Sequence, residues 1–168
     1  GHRTPILTNK TINQLTGKKI FFKCENFQKI GAFKFRGGWN AIFSLSDEEA
    51  KEGVCTHSSG NHAQAVAYAA MKRNIPAYIV MPKNAPKVKI QAVEGYNAKI
   101  TLCEPTLKAR REKLEKIAKK TGAYVVHPFN EPKVIAGQGT SAMEMIEDIG
   151  NLDVICAPIG GGGLMSGT

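Results

Sequence analysis

The stretch Val54-Cys55-Thr56-His57-Ser58-Ser59-Gly60-Asn61-His62-Ala63-Gln64-Ala65 decides the fold. A short apolar run gives way to small polar residues and then to an alanine-rich segment, which reads as strand, loop and helix in immediate succession. The same pattern recurs along the chain. Strand-like runs are expected at 20–24, 54–57, 77–81, 99–103, 124–127 and 154–157. Helical patterns lie between them at 36–45, 61–74, 86–95, 107–121 and 134–149, and Asn74, Gly95, Gly122 and Gly150 fall where helices should stop. This alternation implies an α/β fold, a parallel sheet flanked by helices, with functional loops at the carboxyl ends of the strands.

Composition fits that reading. A chain of 168 residues with 42% hydrophobic and 22% charged residues can bury a core of ordinary domain size. No apolar run approaches the roughly 18 residues of a spanning helix, and no secretory apolar core follows Gly1-His2-Arg3. The net charge of +9 is spread along the chain without aromatic-basic interleaving, so neither nucleic acid nor membrane is expected as a partner. Cys24, Cys55, Cys103 and Cys156 are widely spaced, which favours a reducing compartment and a cytoplasmic location. No repeat or proline-rich linker divides the chain. A helix begins at 163–168 and has no residues left to complete it, so a longer protein is expected.

Gly31-Ala32-Phe33-Lys34-Phe35-Arg36-Gly37 places one lysine between aromatics where an extended segment meets a helix. Apolar surroundings lower a lysine's pKa and free its amine to form a Schiff base with an aldehyde, which makes Lys34 a candidate anchor for pyridoxal phosphate. Among 23 lysines and arginines, the competing reading of any one lysine is a solvated surface charge. Two further motifs shift the balance. Gly160-Gly161-Gly162-Gly163 follows an apolar run and allows backbone amides to converge on a phosphate, with a flexible turn as the alternative. Ser58, Ser59, Asn61 and His62 gather polar groups and fresh backbone donors at a helix start, which suits a carboxylate. An N-cap supplied by Ser59 or Asn61 would account for one such residue, not for all of them.

With these motifs the chain resembles the N-terminal half of the serine racemase and threonine dehydratase group of fold-type II pyridoxal phosphate enzymes, which are tryptophan synthase β-like in fold. Phe22-Lys23-Cys24-Glu25-Asn26-Phe27-Gln28-Lys29, Met81-Pro82-Lys83-Asn84-Ala85-Pro86 and Val134-Ile135-Ala136-Gly137-Gln138-Gly139-Thr140 are similar to family segments in family order. The resemblance implies two domains: residues 1–52 and 129–168 as parts of a large cofactor-binding domain, its remainder lying outside this chain, and 53–128 as a small mobile domain. It implies Lys34 as Schiff-base lysine, Phe33 against the cofactor ring, Asn61 bonding the ring hydroxyl, and Gly160, Gly161, Gly162, Gly163 and Leu164 around the phosphate. The substrate carboxylate is expected against Ser58, Ser59, Asn61 and His62. Arg110 matches an arginine on the substrate side, with a solvated helix residue as its equal alternative. Gln64, Lys89 and Tyr96 match positions of an ATP site between subunits, with a solvated helix face as their alternative. Divalent-cation ligands (for Mg2+, Ca2+ or Mn2+) are expected beyond Thr168, none in this chain, and a homodimer is implied.

For the reaction, the resemblance implies racemisation of serine, with Lys34 and Ser59 as acid and base on opposite faces of the α-carbon, and β-elimination of serine to pyruvate and ammonia as a competing outcome. An L-threonine or L-serine dehydratase is the alternative, favoured by Phe129 after His127-Pro128, where animal racemases tend to carry asparagine. Ala32 also departs from the family's common serine. From other classes, a non-catalytic phosphate-binding fragment and a β-replacing enzyme such as a cysteine synthase are rivals; the loop Ser58-Ser59-Gly60-Asn61-His62 disfavours the latter.

Overall fold

A computed structural model describes all residues, 1–168. The chain opens with a small antiparallel pair, β1 (Ile6–Thr8) and β2 (Phe21–Lys23), bridged by α1 (Lys10–Thr16). The Asn9 side chain accepts from the amide of Ile12 to start α1, and Gly17 at φ 65° ends it. Two 3-10 turns at Glu25–Phe27 and Lys29–Gly31 then replace the extended segment expected before Lys34. They lead into α2 (Lys34–Phe43) and the short α3 (Asp47–Ala50), whose Ser46 and Glu49 form a reciprocal capping box.

The body of the fold follows as β3 (Val54–His57), α4 (Asn61–Arg73), β4 (Ala77–Pro82), α5 (Lys87–Glu94), β5 (Lys99–Cys103), α6 (Leu107–Thr121), β6 (Tyr124–Val125), α7 (Pro132–Ile149) and α8 (Gly163–Gly167). The four main strands form one sheet in the order β5-β4-β3-β6, and every pairing is parallel. Side-chain alternation sorts the sheet's two faces. Val54, Ile79 and Met81 join Val66, Ile42 and Val126 in the larger core beneath α2 and α4. Cys55 and Val80 face the other way, onto Leu114 and Ala123 under α6. Fully burying a side chain such as Ile79 contributes about 1.5–3 kcal/mol, and the alanines of α4 let neighbours approach closely. A Cβ added to Gly38 of α2 would stand only 2.8 Å from the Ala65 Cβ, so only glycine permits this spacing.

One expected strand is absent. Residues 154–157 adopt no strand, because no segment of the chain lies alongside to share a hydrogen-bond ladder, and Val154 stands 74% exposed. No helix is long and apolar enough to cross a membrane. All four cysteines are free.

Candidate active site

The strand order reverses at β3: the chain lays β4 and β5 on one side of it, then returns to place β6 on the other. In open parallel sheets, ligands sit at the carboxyl ends of the strands where such a reversal opens a crevice. Here the loops after β3, residues 58–60, and after β6, residues 126–131, border that crevice.

Lys34 is the first residue of α2, and its Nζ donates to the carbonyl of Pro128 at 2.6 Å, 5.5 Å from the centre of the Phe33 ring. The side chain is half-buried, and burial pushes its pKa below the ordinary lysine value. Its partner there is a carbonyl, not a carboxylate. The ammonium therefore gains no full counter-charge, and the neutral, nucleophilic amine becomes easier to reach.

Phe129, the next residue along, lies against the glycine loop. A Cβ on Gly161 would come within 2.2 Å of its ring, and one on Gly163 within 3.0 Å of its Cα and Cβ. Gly160 meets nothing within 4 Å, so its bare backbone is open. The amides of Gly160, Gly161 and Gly162 donate to no backbone carbonyl. Free backbone donors suit a phosphate, and a half-buried amine suits an aldehyde. The two are joined through the Pro128-Phe129 pair, which fits pyridoxal phosphate.

A buried charge network fixes the start of α2. Arg36, 7% exposed, donates from Nε and Nη2 to both oxygens of Glu25 at 2.8 Å, and from Nη1 and Nη2 to Glu144 of α7 at 2.7 and 2.8 Å. Lys23 Nζ adds a contact at 2.7 Å to Glu144. Burial alone would raise the Glu144 pKa, but the hydrogen bonds from Arg36 and Lys23 outweigh it and hold the carboxyl at about 2. Sequence reasoning missed this network. Its members lie far apart in the chain, and the one local signal was an arginine two residues after the lysine.

A family model described as pyridoxal-phosphate dependent enzyme matches residues 1–168. The chain belongs to the pyridoxal-phosphate dependent enzyme family. It is 53% identical to a serine racemase of Dictyostelium discoideum over 99% of its own length and 52% of that relative's. It is 55% identical to a beta-hydroxyaspartate dehydratase of Paracoccus denitrificans over 99% of its length and 53% of the relative's. The structure of maize serine racemase superimposes with a TM-score of 0.97 at 49% identity, covering 99% of this chain and 50% of that one. The chain thus spans about half the length of the curated relatives it matches.

For this member of the pyridoxal-phosphate dependent enzymes, the remaining expected site residues fall into separate places. Gly60 caps α4 without any side-chain cap bond, so neither Ser59 nor Asn61 is occupied in capping. The Ser58 hydroxyl accepts from the Gly60 amide at 3.2 Å, Ser59 is half-buried and Asn61 is exposed. His62 turns inward instead of towards the loop. Its Nε2 lies 3.2 Å from the Val126 carbonyl, which can only accept, so Nε2 carries the proton; burial pushes the pKa down to about 3. The imidazole is 3% exposed and neutral, and its Nδ1 is buried without a hydrogen-bond partner.

Arg110 is half-buried on α6, and its Nε has no partner. Gln64 is half-buried on α4, and Tyr96 packs edge-on against Tyr68 at 5.4 Å. Lys89 is exposed, with Nζ 3.9 Å from where a Gly60 Cβ would sit. A cavity of about 1090 Å³ adjoins the site through Phe33 and Leu164, yet Lys34, Asn61, Gln64, Lys89, Tyr96 and the loop glycines do not line it. No group of three His, Cys, Asp or Glu side chains lies together.

Proposed function

We propose that the protein carrying this chain is a pyridoxal phosphate-dependent racemase of serine that also eliminates its β-hydroxyl to give pyruvate and ammonia. The observation that supports this most directly is the half-buried Lys34 amine, 2.6 Å from the Pro128 carbonyl and joined through Phe129 to a glycine loop with free amides. Pyridoxal phosphate, when bound, draws away the electron pair left at the substrate α-carbon. Gly160, Gly161, Gly162, Gly163 and Leu164 hold its phosphate, Phe33 lies against its ring, and Asn61 bonds the ring hydroxyl. Ser58, the Asn61 amide group and the first-turn amide of His62 orient the substrate carboxylate at the positive end of α4. Lys34 takes the α-proton from one face, and the Ser59 hydroxyl supplies or removes a proton on the other. Residues 53–128 move as a small domain that closes over the substrate and excludes water, and the assembled enzyme is a cytoplasmic homodimer.

A dehydratase acting chiefly by elimination is the second reading. It is favoured by Phe129, whose apolar ring borders the glycine loop, and by the identity with the Paracoccus dehydratase. Incubation with pyridoxal phosphate, borohydride reduction and peptide mapping test the assignment, followed by chiral analysis of serine and assay of pyruvate. A pyridoxyl group confined to Lys34 with D-serine formed from L-serine is expected. Scattered or absent labelling refutes the site, and pyruvate without D-serine selects the dehydratase.

A further inference from the structure

The β6 ladder stops at Val126. Its amide donates to the Cys55 carbonyl at 2.9 Å, but no backbone amide donates to its own carbonyl. Two buried side chains take that place. The Thr56 hydroxyl of β3 donates to the Val126 carbonyl at 2.7 Å, and Nε2 of His62, on α4, lies 3.2 Å from the same oxygen. Thr56 and Val126 are fully buried, and His62 is 3% exposed. Neither side chain has a second hydrogen-bond partner, and the His62 Nδ1 has none at all. A buried carbonyl requires one donor, which a neighbouring strand ordinarily supplies from its backbone. Here two side chains from successive elements converge on it and fix the direction of the chain as it leaves the sheet.

Two residues on, the Pro128 carbonyl accepts from Lys34 Nζ at 2.6 Å. Little in the backbone holds it there. Pro128 has no amide of its own, and the amides of Phe129 and Asn130 donate to the His127 Nδ1, at 3.4 and 2.9 Å, not to any carbonyl. Pro128 is therefore suspended between the turn closed by His127 and the buried clamp on Val126. The helices α2 and α4, which pack closely where Gly38 meets Ala65, both reach this segment. One grips it at residue 126 through His62, and the other meets it at residue 128 through Lys34.

Resting on the reading above, we propose that Thr56 and His62 are positioning residues for the reaction: by clamping the Val126 carbonyl they fix the Pro128 carbonyl, which aims the free Lys34 amine at the substrate α-carbon. When Lys34 takes the α-proton, its amine becomes an ammonium and the bonding pair stays with the carbon. A carbonyl oxygen accepts a hydrogen bond from that ammonium without the full charge of a carboxylate, so the proton is held and can be returned. The surroundings agree with this role. Burial alone lowers the Lys34 pKa. The titratable groups that sense Lys34, His62 on α4 and His127 on the loop after β6, have pKa values lowered first by burial, and neither offers a negative charge.

The test uses Thr56→Val, which keeps the shape and removes the donor, and Thr56→Ser, which keeps the donor. In the cofactor-loaded protein, Thr56→Val should lower kcat for D-serine and pyruvate formation from L-serine in parallel, by about 10- to 100-fold with KM nearly unchanged, because both products begin with loss of the α-proton to Lys34. Thr56→Ser should recover most of that loss. In the cofactor-free protein, the pH profile of Lys34 acetylation by dilute acetic anhydride, read by peptide mapping, should move to lower pH by about 0.5 unit or more in Thr56→Val, since the ammonium loses its fixed acceptor. Circular dichroism checks folding, and His62→Leu, which removes the other donor, carries the same expectations where Thr56→Val does not fold. An unchanged kcat, a loss confined to KM, a failure of serine to rescue, or an unmoved acetylation profile overturns the clamp; where Lys34 of the unaltered protein carries the pyridoxyl group, the parent reading stands. Absence of that label on Lys34 overturns the parent reading and this inference with it.

Discussion

Replacing Glu144 with glutamine should weaken the fold in a way that depends on pH. In the folded protein Arg36 and Lys23 hold this carboxyl at about 2, against an ordinary value of 4.5. A displacement of that size corresponds to about 3 kcal/mol of stability. The sign follows from proton binding. Between pH 4.5 and 2 the unfolded chain takes up a proton at this position and the folded chain does not, so acid favours unfolding. The contribution is complete above pH 4.5 and disappears as the pH falls through 2. Glu144→Gln removes it at neutral pH and leaves Lys23 without its carboxylate and Arg36 with Glu25 alone, a loss of about 3–5 kcal/mol for a broken buried pair. Urea unfolding followed by the fluorescence of Trp39, the one tryptophan, gives the stability of both proteins across this range. We expect a gap of about 3 kcal/mol or more at pH 7 that closes towards pH 2. A gap that stays constant with pH, or a variant as stable as the parent at pH 7, would refute the role given to the network.

Other substitutions test other parts of the structure. His62 is pushed from 6.5 to about 3 by burial, so the unfolded chain binds its proton first as pH falls below 6.5; stability should decline through that window, and His62→Leu should flatten the decline in thermal midpoints. Without cofactor, Gly161→Ala should cost about 1–3 kcal/mol because its methyl would enter the Phe129 ring, whereas Gly160→Ala meets open space and should cost less than about 0.5 kcal/mol; equal effects would contradict the packing. Ser59→Ala should depress D-serine formation far more than pyruvate formation, by a factor in the range of about 100 to 10,000, and parallel losses would show that Ser59 is not the second acid.

Much of the sheet was legible because a strand buried on both faces, as β3 and β4 nearly are, announces itself in local sequence, while the edge strand β5 shows through its apolar and β-branched residues. Residues 54–57, 99–103 and 107–121 coincide with β3, β5 and α6. By contrast, β1 has three residues, two of them exposed, and exists only by pairing with β2, so no apolar pattern announces it. Residues 154–157 fail for the opposite reason: their composition suits a strand, but a strand requires a neighbour. The site divides along the same line. Lys34 and the glycine run carry their chemistry in residue type, yet the close fit of Gly161 to Phe129 arises from residues far apart in sequence and cannot be read from either segment. Helical periodicity held more than was taken from it. His62, Val66, Ala69 and Ala70 form one buried stripe of α4, which already places the imidazole among buried residues. Applied to α6, the same spacing carries Leu114, Ile117 and Ala118 back to Arg110 and removes it from the solvated face. A polar residue on an apolar stripe needs a partner. His62 has the Val126 carbonyl at Nε2 but no partner at Nδ1, and the Arg110 Nε has none either, so each of these stripes carries one buried polar atom that the chain itself does not satisfy.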